Sequence, residues 1–168
     1  SDGDLMTILA ASLAAWKLGD HDFFSLHPQE HLRKMLIEAP EKVSAVIEEG
    51  FRRYPVRGIG EQPYAHLLLA IDHAESLVAA RDVSPEQRSC FARAIRTLCD
   101  TPRTLTTMIA RLDFYPALTN AFPELADYRS GHGHFEVATP SEGELAKIIR
   151  KPAALAGVDF EEHPKTQV

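Results

Sequence analysis

The sequence contains an uninterrupted apolar run, Leu67 to Ile71, that ends directly in Asp72. A run of this length is typical of a parallel β-strand covered on both faces, although a buried helix segment can have the same composition. Open α/β sheets bind their ligands at the carboxyl ends of such strands. If the run is a strand, Asp72 lies at that end, and Glu75 follows three residues later. Asp72 is therefore a candidate Mg²⁺ ligand, and the alternative is a solvated acid at the tip of a strand.

A second strand is predicted for residues 104–110, where β-branched residues are frequent, and it ends at Arg111. Between the two strands, the segment from Ser84 to Gln87 is typical of a helix start. It has a serine cap, a proline in the first turn and a glutamine three residues after the cap. The order strand, helix, strand predicts a parallel crossover unit. Arg111 and Asp72 are then expected at the same edge of the sheet.

The remaining segments complete one α/β domain over residues 1–160, followed by a polar tail at 161–168. Residues 1–65 are predicted to be mainly helical, and residues 66–160 carry the strands. A third, shorter strand is predicted for 134–138, which gives a parallel sheet of about three strands with many flanking helices. Three further helices are predicted in the first part of the chain: 4–18, with Asp4 as N-cap and Gly19 as the stop; 28–39, which begins at Pro28; and 40–53, which begins at Pro40. A fourth helix is predicted to begin at Ser141 with Glu144. Pro152 is then expected to start a last turn that ends at Gly157.

Composition and charge argue against several classes of function. The chain has 168 residues and a formal net charge of −6, with no block of basic residues. This balance argues against nucleic acid or an anionic membrane surface as the main partner. No apolar run approaches the roughly 18–20 residues that a membrane-spanning helix needs. Cys90 and Cys99 lie nine residues apart in one predicted helix, so reduced thiols and a cytoplasmic location are expected rather than a disulfide framework.

From residue 66 onward, the motifs follow one another in a characteristic order. They are the apolar strand ending in Asp72, then Glu75-Ser76, a long helix, Arg111-Leu-Asp113-Phe-Tyr, Pro123-Glu-Leu, a strand, and a helix that closes with Pro152-Ala-Ala-Leu-Ala-Gly157. This order resembles the nucleotide-binding domain of STAND-type P-loop ATPases, in the bacterial novel STAND branch. The resemblance is best over residues 66–160. It implies a signalling ATPase domain that binds Mg·ATP as a conformational switch.

The resemblance implies roles for four positions. Asp72 corresponds to the Walker B aspartate, which holds the Mg²⁺ that bridges the β- and γ-phosphates. Glu75 corresponds to an acid that orients the attacking water. Arg111 corresponds to an arginine that senses the γ-phosphate, for which its fixed positive fork is well suited. Pro140 corresponds to a proline near the adenine, so ATP and Mg²⁺ are the expected ligands of the complete parent domain.

Two departures from the family pattern predict an incomplete site. Ser76 stands where the family has a second acid after Glu75, and hydrolysis would be impaired if that second acid activates water. The sequence also has no Gly-x-x-x-x-Gly-Lys-Ser/Thr, because Gly58-Ile-Gly60 lacks the lysine and the hydroxyl residue after it. That loop would provide the backbone cradle and the lysine for the phosphates. We therefore expect a fragment of an ATPase domain that lacks the P-loop, binds ATP weakly or not at all, and is not by itself an active hydrolase.

Two other functions are compatible with the sequence. An incomplete sheet exposes an unpaired strand edge, and such edges recruit partners. The chain can therefore be a module for protein interaction or self-association that performs no chemistry. The second alternative is a metal site formed by histidines, for which the candidates are His132 and His134, with His21, His27, His31 and His66 elsewhere. None of these spacings is diagnostic, and no cysteine is placed to join them.

Overall fold

The computed structural model describes residues 4–54, 65–80, 83–130 and 133–160. The chain divides into two compact units, Ser1–His134 and Phe135–Val168. No helix in the described ranges is long and apolar enough to cross a bilayer.

The first unit combines helices with two small sheets, as the predicted α/β class requires. Its elements are α1 (Leu5–Ala14), β1 (Lys17–Leu18), β2 (His21–Asp22), α2 (Gln29–Glu38), α3 (Glu41–Arg53), β3 (Leu67–Ile71), α4 (Ser76–Ala79), α5 (Pro85–Cys99), β4 (Thr104–Met108), a 3-10 turn (Leu112–Phe114), α6 (Tyr115–Ala121) and a second 3-10 segment (Pro123–Arg129). Strands β3 and β4 form one two-stranded sheet, and β1 and β2 form the other.

The predicted crossover unit is confirmed. Strand β3 pairs with β4 in parallel, from Leu67 opposite Thr104 to Ile71 opposite Met108. The connecting helix α5 packs against β4 and also contacts α1, α2 and α3. This arrangement is the expected one, because a parallel pair needs a long connection that crosses over one face of the sheet.

The expectation that the apolar run is covered on both faces is wrong for the described residues. Leu67 is buried, but Leu68 on the opposite face is 59% exposed, and Leu105 beside it on β4 is 61% exposed. Successive side chains of a strand point to opposite faces. The described part of the unit therefore covers one face of the parallel sheet and leaves aliphatic side chains on the other.

The helix starts follow the capping signals of the sequence. Pro28 and Pro40 are the N-caps of α2 and α3. At the start of α5, the Gln87 backbone N–H donates to Ser84 Oγ at 3.2 Å, and the Ser84 backbone N–H donates to Gln87 Oε1 at 2.8 Å. This reciprocal pair is a capping box, which satisfies backbone donors that the first helical turn otherwise leaves without partners.

The predicted helix 4–18 is too long, because α1 ends at Ala14. Lys17 pairs with Asp22, and Leu18 with His21, in an antiparallel hairpin. Gly19 lies in the hairpin turn with a φ of +62°, a left-handed conformation that glycine adopts without steric cost. Gly19 is therefore a turn residue of a hairpin rather than the stop of a helix.

The core of the first unit is helical and aromatic. The Phe23 ring lies 4.2 Å from the Trp16 ring and 5.0 Å from both the Phe24 and Phe51 rings, measured between centroids. Helices α1, α2, α3 and α5 contribute most of the other buried side chains. Residues 4–54 thus form much of the core against which the parallel sheet packs.

The second unit contains α7 (Glu142–Leu155), whose start at Ser141 and Glu144 is the predicted capping box. The predicted strand at 134–138 is wrong, because these residues pair with no strand in the described part of the chain. Their alternation of apolar and polar side chains fits an extended segment, but a strand forms only when a partner supplies the hydrogen bonds. Among the residues that the structure describes, the parallel sheet therefore has two strands instead of the predicted three or so. Pro152 lies inside α7 and does not start a separate last turn.

Candidate functional site

Both candidate strand ends lie at the same edge of the parallel sheet. Asp72 directly follows β3, and Arg111 lies three residues beyond the end of β4. The backbone pairing continues past the strands, because Ile109 N–H donates to Ile71 O at 2.8 Å and Ala74 N–H donates to Ile109 O at 2.9 Å. These bonds bring the turn after Asp72 against the segment that leads to Arg111.

The turn after β3 is tight and has a left-handed residue at its centre. His73 has a φ of +52°, which is uncommon for a residue other than glycine and costs roughly 1–2 kcal/mol. Its backbone N–H donates to Asp72 Oδ1 at 2.8 Å. Its carbonyl oxygen accepts the Ser76 backbone N–H at 2.9 Å, where α4 begins. The turn therefore fixes one oxygen of the exposed Asp72 carboxylate.

Glu75 connects the two strand ends. Its side chain is only 14% exposed. Glu75 Oε2 accepts the Arg111 backbone N–H at 3.3 Å, and Oε1 lies 3.3 Å from His73 Nδ1. The pKa of Glu75 is lowered, first by a hydrogen bond from its own backbone N–H and also by those from the His73 ring and the Arg111 backbone, against the opposing effect of burial. The Glu75 carboxylate therefore stays ionised at neutral pH.

The side chain of Arg111 contacts its own neighbours in the sequence. Its Nη2 donates to Asp113 Oδ2 at 2.8 Å, and its Nε donates to Asp113 Oδ1 at 3.2 Å. The guanidinium carbon lies 5.6 Å from the centroid of the Phe114 ring, within range of a cation–π interaction. Arg111 thus lies at the predicted edge of the sheet, but its guanidinium is paired with the Asp113 carboxylate.

In the described part of the chain, this edge of the sheet offers a single carboxylate, that of Asp72, to a magnesium ion. Mg²⁺ in nucleotide sites takes one or two protein carboxylates and completes its shell with phosphate and water oxygens. Asp72 Oδ2 has no hydrogen-bond partner within the described ranges, and the carboxylate is exposed. Asp72 could therefore hold the ion through that oxygen.

Metal binding by histidines has less support. In the described ranges, no group of three or more His, Cys, Asp or Glu side chains is placed to hold a metal ion. His134 stacks on the Tyr115 ring at a centroid distance of 4.6 Å. The rings of His27 and His31 are 5.3 Å apart. His132 lies outside the described residues, so the Gly-His-Gly-His hypothesis stays a prediction.

Pro140 belongs to the described residues, whereas Gly58-Ile-Gly60 does not. Pro140 is half-buried in the second unit, in the segment before α7, so its contact with an adenine stays a prediction.

Sequence reasoning missed two residues of this edge, His73 and Asp113. Histidine is more frequent at positive φ than most residues other than glycine, but no sequence signal marks His73 itself as left-handed. Asp113 is part of the Arg-x-Asp motif, and its spacing from Arg111 was available as a signal. A carboxylate two residues after an arginine can bend back to the guanidinium when the chain turns between them.

The sequence matches the family described as Novel STAND NTPase 1 over residues 9–168. The chain belongs to this family. The match covers almost the whole chain, and it confirms the STAND-type NTPase assignment that the ordered motifs predicted. Comparisons with curated proteins and with solved structures gave no match.

Proposed function

We propose that this Novel STAND NTPase 1 chain provides the Mg²⁺-binding and γ-phosphate-sensing side of an ATP site in a signalling switch with a P-loop NTPase-like sheet. The observation that carries the proposal is the contact between Glu75 Oε2 and the Arg111 backbone N–H at 3.3 Å. It joins the ends of two parallel strands at the edge where α/β sheets bind ligands. Family membership supports a nucleotide as the ligand.

Asp72 is the proposed ligand of Mg²⁺. The His73 backbone N–H holds one carboxylate oxygen at 2.8 Å, so little rotational freedom is lost when the other oxygen binds a cation. When bound, Mg²⁺ would neutralise charge on the β- and γ-phosphates. The role of the chain is to aim the Asp72 carboxylate before the nucleotide arrives.

Glu75 is proposed to orient a water molecule rather than to remove its proton. A carboxylate with a lowered pKa is a weak base, because efficient proton transfer needs a pKa near the working pH. Ser76 occupies the position of the second acid and cannot accept a proton at neutral pH. Both features favour slow hydrolysis of ATP, as is expected of a switch that must keep ATP bound while it signals.

The P-loop is the part of the site that these 168 residues do not encode, because the sequence contains no Gly-x-x-x-x-Gly-Lys-Ser/Thr. Without that cradle the phosphates lack most of their backbone donors. We expect this chain by itself to bind Mg·ATP weakly, and a P-loop elsewhere in a longer protein to complete the site.

NMR titration of the ¹⁵N-labelled chain tests this proposal, because it detects weak binding and locates it. Mg·ATP is expected to shift the backbone signals of residues 72–75 and 109–113. Asp72→Asn should remove the part of the shift that depends on Mg²⁺. Asp20→Asn, an exposed position in the hairpin turn, makes the same charge change and should behave as the wild type. Equal shifts in Asp72→Asn and in the wild type would contradict the assignment of Asp72.

A second candidate function is self-association, and the exposed sheet face favours it. Leu68 and Leu105 lie side by side on that face, and within the described residues β3 and β4 each have one unpaired edge. Apolar faces and open edges of this kind promote pairing between chains. Light scattering after size exclusion would show a concentration-dependent mass that Leu68→Asp reduces, whereas a monomer at all concentrations counts against it.

A further inference from the structure

The guanidinium of Arg111 is held on one side by Asp113. Two parallel N–H donors, from Nε and Nη2, meet the two oxygens of the carboxylate at 3.2 and 2.8 Å. This two-point geometry is the one that arginine also uses for phosphate oxygens. The Asp113 carboxylate therefore occupies the Nε/Nη2 edge of the guanidinium, one of the two edges at which a phosphate group can bind.

The pair is local and exposed. Asp113 follows Arg111 by two residues in the 3-10 turn Leu112–Phe114, and the side chains of Arg111 and Asp113 are 68% and 57% exposed. Ion pairs at this degree of exposure are weak, since water solvates both partners well. A ligand with several negative charges can therefore displace the carboxylate.

We propose that Asp113 is a positioning residue that holds Arg111 in a resting orientation, and that a polyphosphate oxygen replaces the Asp113 carboxylate on the guanidinium when the ligand binds. The inference rests on the proposed function, in which Arg111 contacts the γ-phosphate. Without the ligand, the Arg111 guanidinium is paired with the Asp113 carboxylate. Asp113 lowers the affinity for the anion because its carboxylate competes for the Arg111 guanidinium and because its negative charge repels the anion.

The fold allows the exchange without unfolding the turn. The segment that carries Asp113 leads directly into α6, where Leu118 is buried, and Phe122 after α6 packs against Phe91 with ring centroids 6.3 Å apart. These buried contacts fix α6 and therefore the turn that precedes it, whereas the ion pair itself is exposed. Removing the charge of Asp113 should therefore leave the fold intact.

The experiment uses Mg²⁺ with inorganic tripolyphosphate as the probe, and NMR follows the Nε–H signal of Arg111 and the backbone signals of residues 109–115. Asp113→Asn is expected to tighten binding roughly twofold to fivefold, because an exposed ion pair no longer competes for the guanidinium and one like charge is removed. Asp113→Glu, which keeps the carboxylate, should restore affinity close to that of the wild type. In the double variant Arg111→Gln/Asp113→Asn, the gain should disappear.

Asp127→Asn is the matched control. Asp127 pairs with Arg96 at 3.4 Å, and their side chains are 78% and 47% exposed. The control makes the same charge change at an Arg–Asp pair whose members do not belong to the proposed nucleotide site. Equal tightening by Asp113→Asn and Asp127→Asn would overturn the proposal, because net charge would then explain the effect.

Three further outcomes overturn the exchange: a gain that persists without Arg111, an unchanged Arg111 Nε–H signal, or no measurable binding by Asp113→Asn. Failure of the proposed function gives a different result. In that case tripolyphosphate would still bind Arg111 more tightly in Asp113→Asn, but Asp72→Asn would not alter the Mg²⁺ dependence.

Discussion

Replacing Gly50 by alanine is expected to destabilise the first unit, although the same change stabilises most helices. Gly50 lies in α3, and an alanine Cβ built there would come within 2.6 Å of Cε1 and 2.9 Å of Cε2 of the Phe23 ring. That ring is 3% exposed and is enclosed by Trp16, Phe24 and Phe51. It cannot move away without disturbing the aromatic cluster.

Two opposing effects decide the magnitude. In an exposed helix interior, alanine is more favourable than glycine by about 1 kcal/mol. Overpacking of a closed core costs about 1–3 kcal/mol, and contacts this short with a buried ring place Gly50→Ala at the upper end. The net loss in the free energy of unfolding is then about 2 kcal/mol. For a chain of this size, such a loss lowers the melting temperature by roughly 4–8 °C.

Urea and thermal unfolding, followed by circular dichroism and by Trp16 fluorescence, measure this loss. Gly143→Ala in α7 is the matched control, because its Cβ meets no atom within 4 Å, and it should leave the Trp16 transition unchanged. Phe23→Leu should recover part of the loss in the double variant with Gly50→Ala. A Gly50→Ala protein as stable as the wild type, or more stable, would refute the argument that the Phe23 ring has no space to move.

Two further predictions concern a helix start and a histidine. Ser84→Ala removes the acceptor of the Gln87 backbone N–H and should cost about 1 kcal/mol of stability in urea unfolding. The pKa of His27 is lowered from its ordinary value of 6.5 by burial, and then by the positive charges of His31 and Arg53. The folded state favours the neutral form of His27, so protonation costs more in the folded than in the unfolded chain. The stabilising contribution of neutral His27 is therefore complete above pH 6.5 and is lost as the pH falls below 6.5. His27→Gln should therefore flatten the decline in melting temperature between neutral and mildly acidic pH.

Each of these predictions has a control. Ser141→Ala removes the equivalent cap of α7, a helix without fully buried side chains, and should lower helicity with little effect on the Trp16 signal. An unchanged urea midpoint in Ser84→Ala would mean that another group satisfies the Gln87 backbone N–H. His21→Gln makes the same substitution at a histidine on the exposed hairpin and is the matched control. If His27→Gln keeps the wild-type pH dependence, other groups cause the acid destabilisation.

Local signals in the sequence predicted several helix starts and the parallel crossover, and they predicted that Asp72 and Arg111 lie at the same edge of the sheet. Ser84 and Ser141 begin helices because the serine hydroxyl accepts a backbone N–H of the first turn. Pro28 and Pro40 begin helices because the ring fixes φ and proline has no N–H that needs a partner there. The apolar run before Asp72 became a parallel strand, since α5 provides the crossover. The prediction of a third strand was wrong because a strand requires a hydrogen-bonding partner, which the alternation of side chains in the sequence does not supply.

What the sequence determined by itself is the order of elements, the parallel crossover, the sheet edge with Asp72 and Arg111, and membership of the STAND family. These depend on residue type and spacing along the chain. Tertiary structure alone decided the close approach of Gly50 to Phe23 and the hydrogen bond from the Arg111 backbone N–H to the Glu75 carboxylate. Such features depend on which atoms meet in space, and the same local sequence is compatible with several such arrangements.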